Sequence, residues 1–478
     1  MIMDFPNMDR RRFLLASAAT SLAASVPLRW TRAAVPDPVA LTAAPHEVKL
    51  IGPDDPATAV WAYNAAVPGS VLRARQGDTL RVEFSNGLDE ATTVHWHGLR
   101  IPNAMDGVPF LTQDPIEPGQ RFAYEFPLQD AGTFWYHPHL NTSIQVGRGL
   151  AGALIVDELD PPAVDRDVVW VLDDWRLQKD ATFAPFGALH DAAHAGRFGN
   201  VATINGGDLD PFEVTAGERL RLRLINAANA RIFGLSSKGH DPWLIAVDGH
   251  PVKPRKLNNG RAIVAPGMRL DLIIDMTGKP GDSFDVIDGA YQRQTYRIAR
   301  IAYHDTSPLR HDLPPPIALP SNPVAVPDIN SGVDHEMVFQ GGAMGGLQSA
   351  TFKGEAKSLR DLAAMGMVWA VNGEVLPAME EGDVGDPMLD LKLGHSYRLR
   401  WTNDTAFDHP IHLHGHSFHV LARGGVPVKE PQIQDTVLIA PKETVDVAFV
   451  ADNPGDWALH CHVLEHASAG MMGYVRVI

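Results

Sequence analysis

The chain has 478 residues, of which 45% are hydrophobic and 21% charged, with 41 Lys and Arg against 57 Asp and Glu for a formal net charge of -16. That length leaves room for two to four domains with ordinary globular cores, and so acidic a balance argues against nucleic acid or an anionic membrane as partner. A single cysteine excludes an internal disulfide, and 42 Gly with 37 Pro point to many turns between short strands.

The first element in chain order is a targeting segment. "MDRRRFLLASAATSLAASVPL", residues 8–28, places Arg10, Arg11 and Arg12 before Phe13-Leu14-Leu15 and an Ala/Ser-rich apolar run. That run is too short and too polar to span a bilayer. It resembles a bacterial twin-arginine export signal. Residues 1–34 are therefore expected to be an export signal, and the mature protein to be periplasmic, soluble and free of a membrane anchor.

Beyond it the sequence repeats. "GDTLRVEFSN" (77–86), "GERLRLRLIN" (217–226) and "GHSYRLRWTN" (394–403) share a Gly turn followed by an alternating strand that ends on Asn. Each is preceded by a turn near another Asn, in "YNAAVPG", "INGGDLDP" and "VNGEVLP". The spacing predicts an all-β chain of three Greek-key β-sandwich modules at 40–160, 165–305 and 366–478. Residues 306–365 are expected to link the last two, Pro-rich at first and then Gly/Met-rich.

The repeats locate the chemistry. "HWHG" (His95 to Gly98) follows Asn86 by nine residues, and "HLHG" (His412 to Gly415) follows Asn403 by nine. A second match sets "HPH", with His137 and His139, against "HCH", with His460 and His462, each centred twenty residues beyond a proline, Pro118 or Pro441. Module two has Leu235 and Ser237 where the first pair would fall, and is read as a spacer. On a strand, residues i and i+2 share a face, so each His-x-His projects two imidazoles side by side. Four such pairs can supply eight imidazoles at one interface, a donor set suited to Cu, Zn, Fe or Ni. His416 and His419, beside "HLHG", are read as packing or surface residues.

Cys461 stands where the first module has Pro138. Its side chain points away from His460 and His462, toward a second site that His409, His466 and Met471 can reach. Two imidazoles, a thiolate and a thioether form the ligand set of a blue-copper electron-transfer site. The lone thiol would be both a ligand and a bridge to the cluster that its two neighbours hold.

"HWHG", "HPH", "HPIHLH" and "HCHVLEHASAGM" stand in the order and spacing of the multicopper oxidases, and the chain resembles their bacterial three-domain laccase-like and copper-efflux-oxidase branch. The resemblance implies cupredoxin-like modules and four copper ions. Type 1 copper would be held by His409, Cys461 and His466 with Met471 axial, and type 2 by His95 and His412. The type 3 pair would take His97, His137, His139, His414, His460 and His462. It also implies repeated one-electron oxidation of a small reducing substrate, with reduction of dioxygen to water, by a monomer. Asp106 in "NAMDGVP" stands where relatives carry a proton-relaying acid, although "DG" also suits a turn. The acid that copper-efflux oxidases tend to place after the second type 1 histidine is here Ala467. Glu465 on the other side is read as structural. Phenols and aromatic amines are the expected reductants. The alternatives are a cuprous oxidase drawing on Met337, Met344, Met365 and Met367, and a non-enzymatic copper-binding protein. A nitrite reductase would lack the eight-histidine set, and a zinc hydrolase would not use Cys, His, His and Met.

Overall fold

The computed structural model describes residues 38–478 apart from 208, 331, 377, 378, 380, 381 and 383. The expected export signal lies outside the described residues.

The alternation in "GDTLRVEFSN" gives the strand Thr79–Asn86, which buries Leu80, Val82 and Phe84 on one face. Its two copies form the strands Arg219–Asn226 and Ser396–Asn403. Each copy has a parallel neighbour on one side, respectively Val39–Val48, Arg166–Trp175 and Val333–Gly341. Each has an antiparallel neighbour on the other, respectively Arg121–Pro127, Arg269–Asp275 and Thr444–Val450.

The repeated asparagines explain why the pattern recurs. Asn86, Asn226 and Asn403 each accept at Oδ1 from the N–H two residues on, in Leu88, Ala228 and Thr405, at 3.0 Å. Their Nδ2 groups donate to the loop carbonyls of Glu90, Arg231 and Phe407, so three buried amides hold three equivalent loops. Asn64, Asn205 and Asn372 take φ of 54°, 54° and 52°, which Asn tolerates better than most residues. Their Oδ1 atoms accept from the N–H groups of Thr42, Val171 and Val338 at 2.8 Å and stitch each turn to the adjoining strand.

Among the described residues the strands form three pairs of sheets, of four and four, six and five, and six and five strands, with a separate two-stranded hairpin. Each pair closes on its own core: Phe84, Trp96 and Tyr136; Leu222, Leu224 and Leu270; Trp401, Phe418 and Trp457. The fold is thus all-β, with cupredoxin-like sandwiches.

The expected linker 306–365 is strand-free only in its first part. Val333–Gly341 belongs to the larger sheet of the third sandwich, and Met337 and Phe339 are buried in its core. Most of the first four residues of that strand are exposed, leaving too short an alternation to stand out in the sequence.

The sandwiches meet through apolar contacts, such as Trp135 and Ala153 of the first on Val171 and Ile225 of the second, and through polar ones. Asn103 donates to the Asp456 carbonyl at 2.7 Å, and Asn453 to that of Ile101 at 2.9 Å, joining the first and third. The second sandwich turns the polar side of its repeat strand inward, where Arg221 pairs with Glu158 and Asp271 and Arg223 with Asp167. That strand is buried on both faces.

Candidate metal centre

Strand register brings the histidine pairs together. His95–His97 runs antiparallel to Gly132–His137 with His95 opposite His137, and His409–Leu413 runs beside Gly455–Cys461 with His412 opposite His460. Only the first pair lies wholly on a strand. His139, His414 and His462 fall just past strand ends, yet each ring stays within 4.8–6.1 Å of its partner in the pair, as in His95 and His97 at 5.8 Å. Across the interface His95 stacks on His414 with centroids 3.9 Å apart, and His97 on His412 at 3.8 Å. The Nε2 atom of His460 lies 3.3 Å from that of His139 and 3.1 Å from that of His414. All eight side chains are buried.

The rings are prepared to accept an ion. His95, His412 and His137 donate through Nδ1 to the carbonyls of Asp106, Asp435 and Pro138 at 2.8, 2.9 and 2.9 Å. A donating nitrogen fixes the tautomer and leaves the other with a bare lone pair. Those other nitrogens, together with His97 Nδ1, His139 Nδ1 and both nitrogens of His462, have no partner although buried. An unsatisfied buried polar atom costs about 1–3 kcal/mol, so a convergent set of them fits a bound cation. Burial, reinforced by the neighbouring rings, holds His137, His139, His414 and His462 well below the usual histidine range, in the neutral ligating form.

A second group forms on the far side of Cys461. The Nδ1 atoms of His409 and His466 lie 3.3 and 3.7 Å from Cys461 Sγ and 3.2 Å from each other. Their Nε2 atoms are tied back, His409 to Thr405 Oγ1 at 2.9 Å and His466 to the carbonyl of His194 at 2.6 Å. Burial pushes the Cys461 thiol up, so without a cation it stays protonated. Met471 is buried in the same core, and its carbonyl accepts from the Cys461 N–H at 3.1 Å.

Asp106 closes the 3-10 turn Asn103–Met105, its N–H donating to the Asn103 carbonyl at 3.1 Å, and its side chain enters the cluster. Its Oδ2 accepts from His414 Nδ1 at 2.8 Å and its Oδ1 lies 3.3 Å from His95 Nδ1. Two residues that sequence reasoning missed occupy the opposite side. Asp435 lies 3.2 Å from His97 Nε2 and 3.4 Å from His412 Nδ1, and Arg269 of the second sandwich grips its carboxylate at 2.7 and 2.6 Å. A Cβ on Gly98, the glycine of "HWHG", would collide with that guanidinium, so the motif's glycine makes room for the second sandwich. No repeat spacing marked Asp435, and Arg269 reads as one polar position of an ordinary strand. The residues 192–194 that cover His466 were likewise silent: Trp369 Nε1 donates to the Ala192 carbonyl at 2.7 Å.

His416 is buried against Phe449 and Trp457, and His419 is partly buried on the strand Phe418–Arg423, so both pack. Glu465 accepts from Asn229 at 2.7 Å and from the Arg197 N–H at 3.1 Å, joining the third sandwich to the second. Met337 is core, Met367 packs beside the separate hairpin, and Met344 and Met365 are exposed.

Three family models described as multicopper oxidase match residues 47–161, 166–303 and 360–478. Multicopper oxidase MmcO of Mycobacterium tuberculosis is 29% identical, over 90% of this chain and 85% of its own. Dihydrogeodin oxidase of Aspergillus terreus is 30% identical, over 88% of this chain and 80% of its own. The crystal structure of a multi-copper oxidase from Pseudomonas thermotolerans superposes with a TM-score of 0.80 at 35% identity, covering 92% of this chain and 98% of that one. Among the described residues, no helix is long and apolar enough to cross a membrane. Matched along its three sandwiches and carrying the histidine and cysteine sets in one buried region, the chain belongs to the multicopper oxidase family of copper-dependent oxidases.

Proposed function

We propose that the chain holds four copper ions and oxidises a small aromatic reductant while reducing dioxygen to water. A type 1 ion would be held by His409, Cys461, His466 and Met471, and a type 2 ion by His95 and His412. A type 3 pair would be held by His97, His137, His139, His414, His460 and His462. Copper in these places supplies one-electron oxidation at the thiolate and reduction of dioxygen among the imidazoles. The observation that carries the proposal is the convergence of bare, buried ring nitrogens from two sandwiches beside a Cys-His-His triangle.

The chain joins the two groups directly. Cys461 is bonded to both His460 and His462, and His460 Nδ1 donates to the Cys461 carbonyl at 2.9 Å. Electrons entering at Sγ therefore have a short covalent path to two cluster histidines. Asp106 relays protons: its carboxylate reaches His414 and His95, and among the described residues no Lys or Arg pairs with it.

A pocket of about 90 Å³ beside the triangle supports an aromatic substrate. Phe198, Ile232, Tyr291, Phe407 and Pro410 wall it, and Asp408 offers one carboxylate to a phenolic O–H or an amine N–H. The dispersed thioethers of Met337, Met344, Met365 and Met367 do not favour Cu(I). With the export signal at residues 1–34, the protein works in the periplasm, as a monomer.

Dioxygen uptake by the copper-loaded protein, with a phenol and separately with Cu(I), tests the proposal. Uptake with the phenol is expected, and Cys461→Ser should abolish both it and the blue colour. Uptake with Cu(I) alone would make the protein a cuprous oxidase. No uptake with either would make it a copper carrier.

A further inference from the structure

Behind Asp435 stands another acid. Asp248 occupies the turn after the strand Trp243–Val247 in the second sandwich, with φ of 48° and no solvent exposure. Its Oδ1 accepts from the Arg269 N–H at 2.9 Å, and its Oδ2 from the Thr436 N–H at 3.2 Å and from Gln434 Nε2 at 3.5 Å. The Arg269 guanidinium lies 3.6 Å from Asp248 Oδ1, but its fork faces Asp435. Two fully buried carboxylates thus share one guanidinium. With both ionised, one negative charge stays uncompensated away from water, a condition relieved by binding a proton.

The contacts decide which acid takes it. Asp435 receives both arms of the fork and the Thr436 hydroxyl at 2.8 Å, and Arg269 holds it well below the usual carboxylate range. Asp248 has only neutral N–H donors, and burial followed by the charge of Asp435 pushes it up to about 7. The remaining charged neighbour of Arg269, Asp271, is neutralised by Arg221 and Arg223. His250, on the adjoining strand, is pushed down to about 4 by burial and is neutral.

Asp248 also has a way out and a way in. Gln434 and Val247 line a cleft of about 700 Å³ between the second and third sandwiches. On the inner side Thr436 Oγ1 lies 3.1 Å from both His97 Nε2 and His412 Nδ1.

We propose that Asp248 is a proton-holding residue of the dioxygen-reducing centre, a positioning residue that acts through Thr436 and Asp435 from the cleft side, opposite Asp106. Given the copper cluster proposed above, forming two waters from one dioxygen consumes four electrons and four protons. Each electron entering the buried region makes it more negative, and the O–H bond formed on Asp248 offsets one such charge until that proton is released.

The test begins with the copper-free protein, in which aspartate carries a ¹³C-labelled carboxyl group. Infrared spectra across neutrality should show a buried carboxylic acid that titrates in the parent, in Asp106→Asn and in Asp173→Asn and is lost in Asp248→Asn, the last two variants separating it from Asp173, whose carboxyl burial also pushes up. Absence of that acid in the parent, or its persistence in Asp248→Asn, overturns the proposal. In the copper-loaded protein, reoxidation of Asp248→Asn by dioxygen should slow about tenfold or more above neutrality, while reduction of the blue copper by substrate keeps its rate. A purely structural role would shift the melting temperature and leave the shape of that pH profile intact. Failure of the parent to consume dioxygen would sink the oxidase reading and leave the infrared result standing.

Discussion

Asp106 of the first sandwich and Asp435 of the third meet the histidine cluster from opposite sides. Each uses its carbonyl to hold the first histidine of its own sandwich, His95 at 2.8 Å and His412 at 2.9 Å. Each uses its carboxylate to reach the second histidine of the other sandwich, His414 at 2.8 Å and His97 at 3.2 Å. The geometry is nearly two-fold and the electrostatics are not. Asp435 is locked by Arg269, whereas among the described residues no Lys or Arg pairs with Asp106. The second sandwich, which offers no His-x-His pair, thereby sets the two acids apart by supplying Arg269 to only one of them.

Removing Arg269 should break this asymmetry most severely. Arg269→Met leaves Asp435 and Asp248 buried without their cation, and about 3–5 kcal/mol of stability should be lost. Urea unfolding of the copper-free protein reads that loss, and electron paramagnetic resonance should show a weakened type 2 signal. Asp106→Asn keeps an oxygen for the His414 N–H but loses the charge of that hydrogen bond, and should cost less, about 1–2 kcal/mol. Equal losses in the two variants would mean that the acids are equivalent.

The converse test is kinetic. Asp106→Asn keeps the shape of the side chain but cannot titrate, so anaerobic reduction of the blue copper should be unchanged. Reoxidation by dioxygen should slow by about a hundredfold, and more so as the pH rises and free protons become scarce. Stopped-flow measurement of both half-reactions separates the effects, and an unchanged reoxidation rate across the pH range would remove Asp106 from proton delivery.

Gly98→Ala probes the contact between the two sides indirectly. The added Cβ pushes on the Arg269 guanidinium from a left-handed position, with φ of 88°, so about 1–3 kcal/mol should be lost. The type 2 signal should change in the same direction as in Arg269→Met, but less. A loss of stability with that signal intact would confine the strain to the backbone.

A graded effect, spread over pH rather than set by one substitution, comes from the imidazoles themselves. Burial holds His460 and His466 at about 3, while unfolded histidines bind protons near 6.5. The unfolded chain is therefore the first to take up protons. Stability should be complete above about 6.5 and fall toward about 3, by about 1.4 kcal/mol per pH unit for each histidine. Melting curves of the copper-free protein that stay flat across this window would show that these rings are not held neutral by the fold.

Much of the molecule was legible in one dimension. Alternation with period two marked the repeat strands, and recurring Asn turns marked their ends, because a strand face and an Asx turn are set by neighbours two residues apart. The same locality exposed the His-x-His pairs and the odd position of Cys461, and the structure gathers those side chains into two buried groups. Only the tertiary structure decided the rest. The strand Val333–Gly341 buries too few residues to announce itself and is defined by its partner Ser396–Asn403. The carbonyls of residues 192–194 cover His466 and Trp369 without any demand on side-chain identity. Arg269 and Asp435 lie 166 positions apart, and Asp248 and Thr436 188. Charge pairing in a dry interior depends on which surfaces three sandwiches press together, and no periodicity along the chain encodes it.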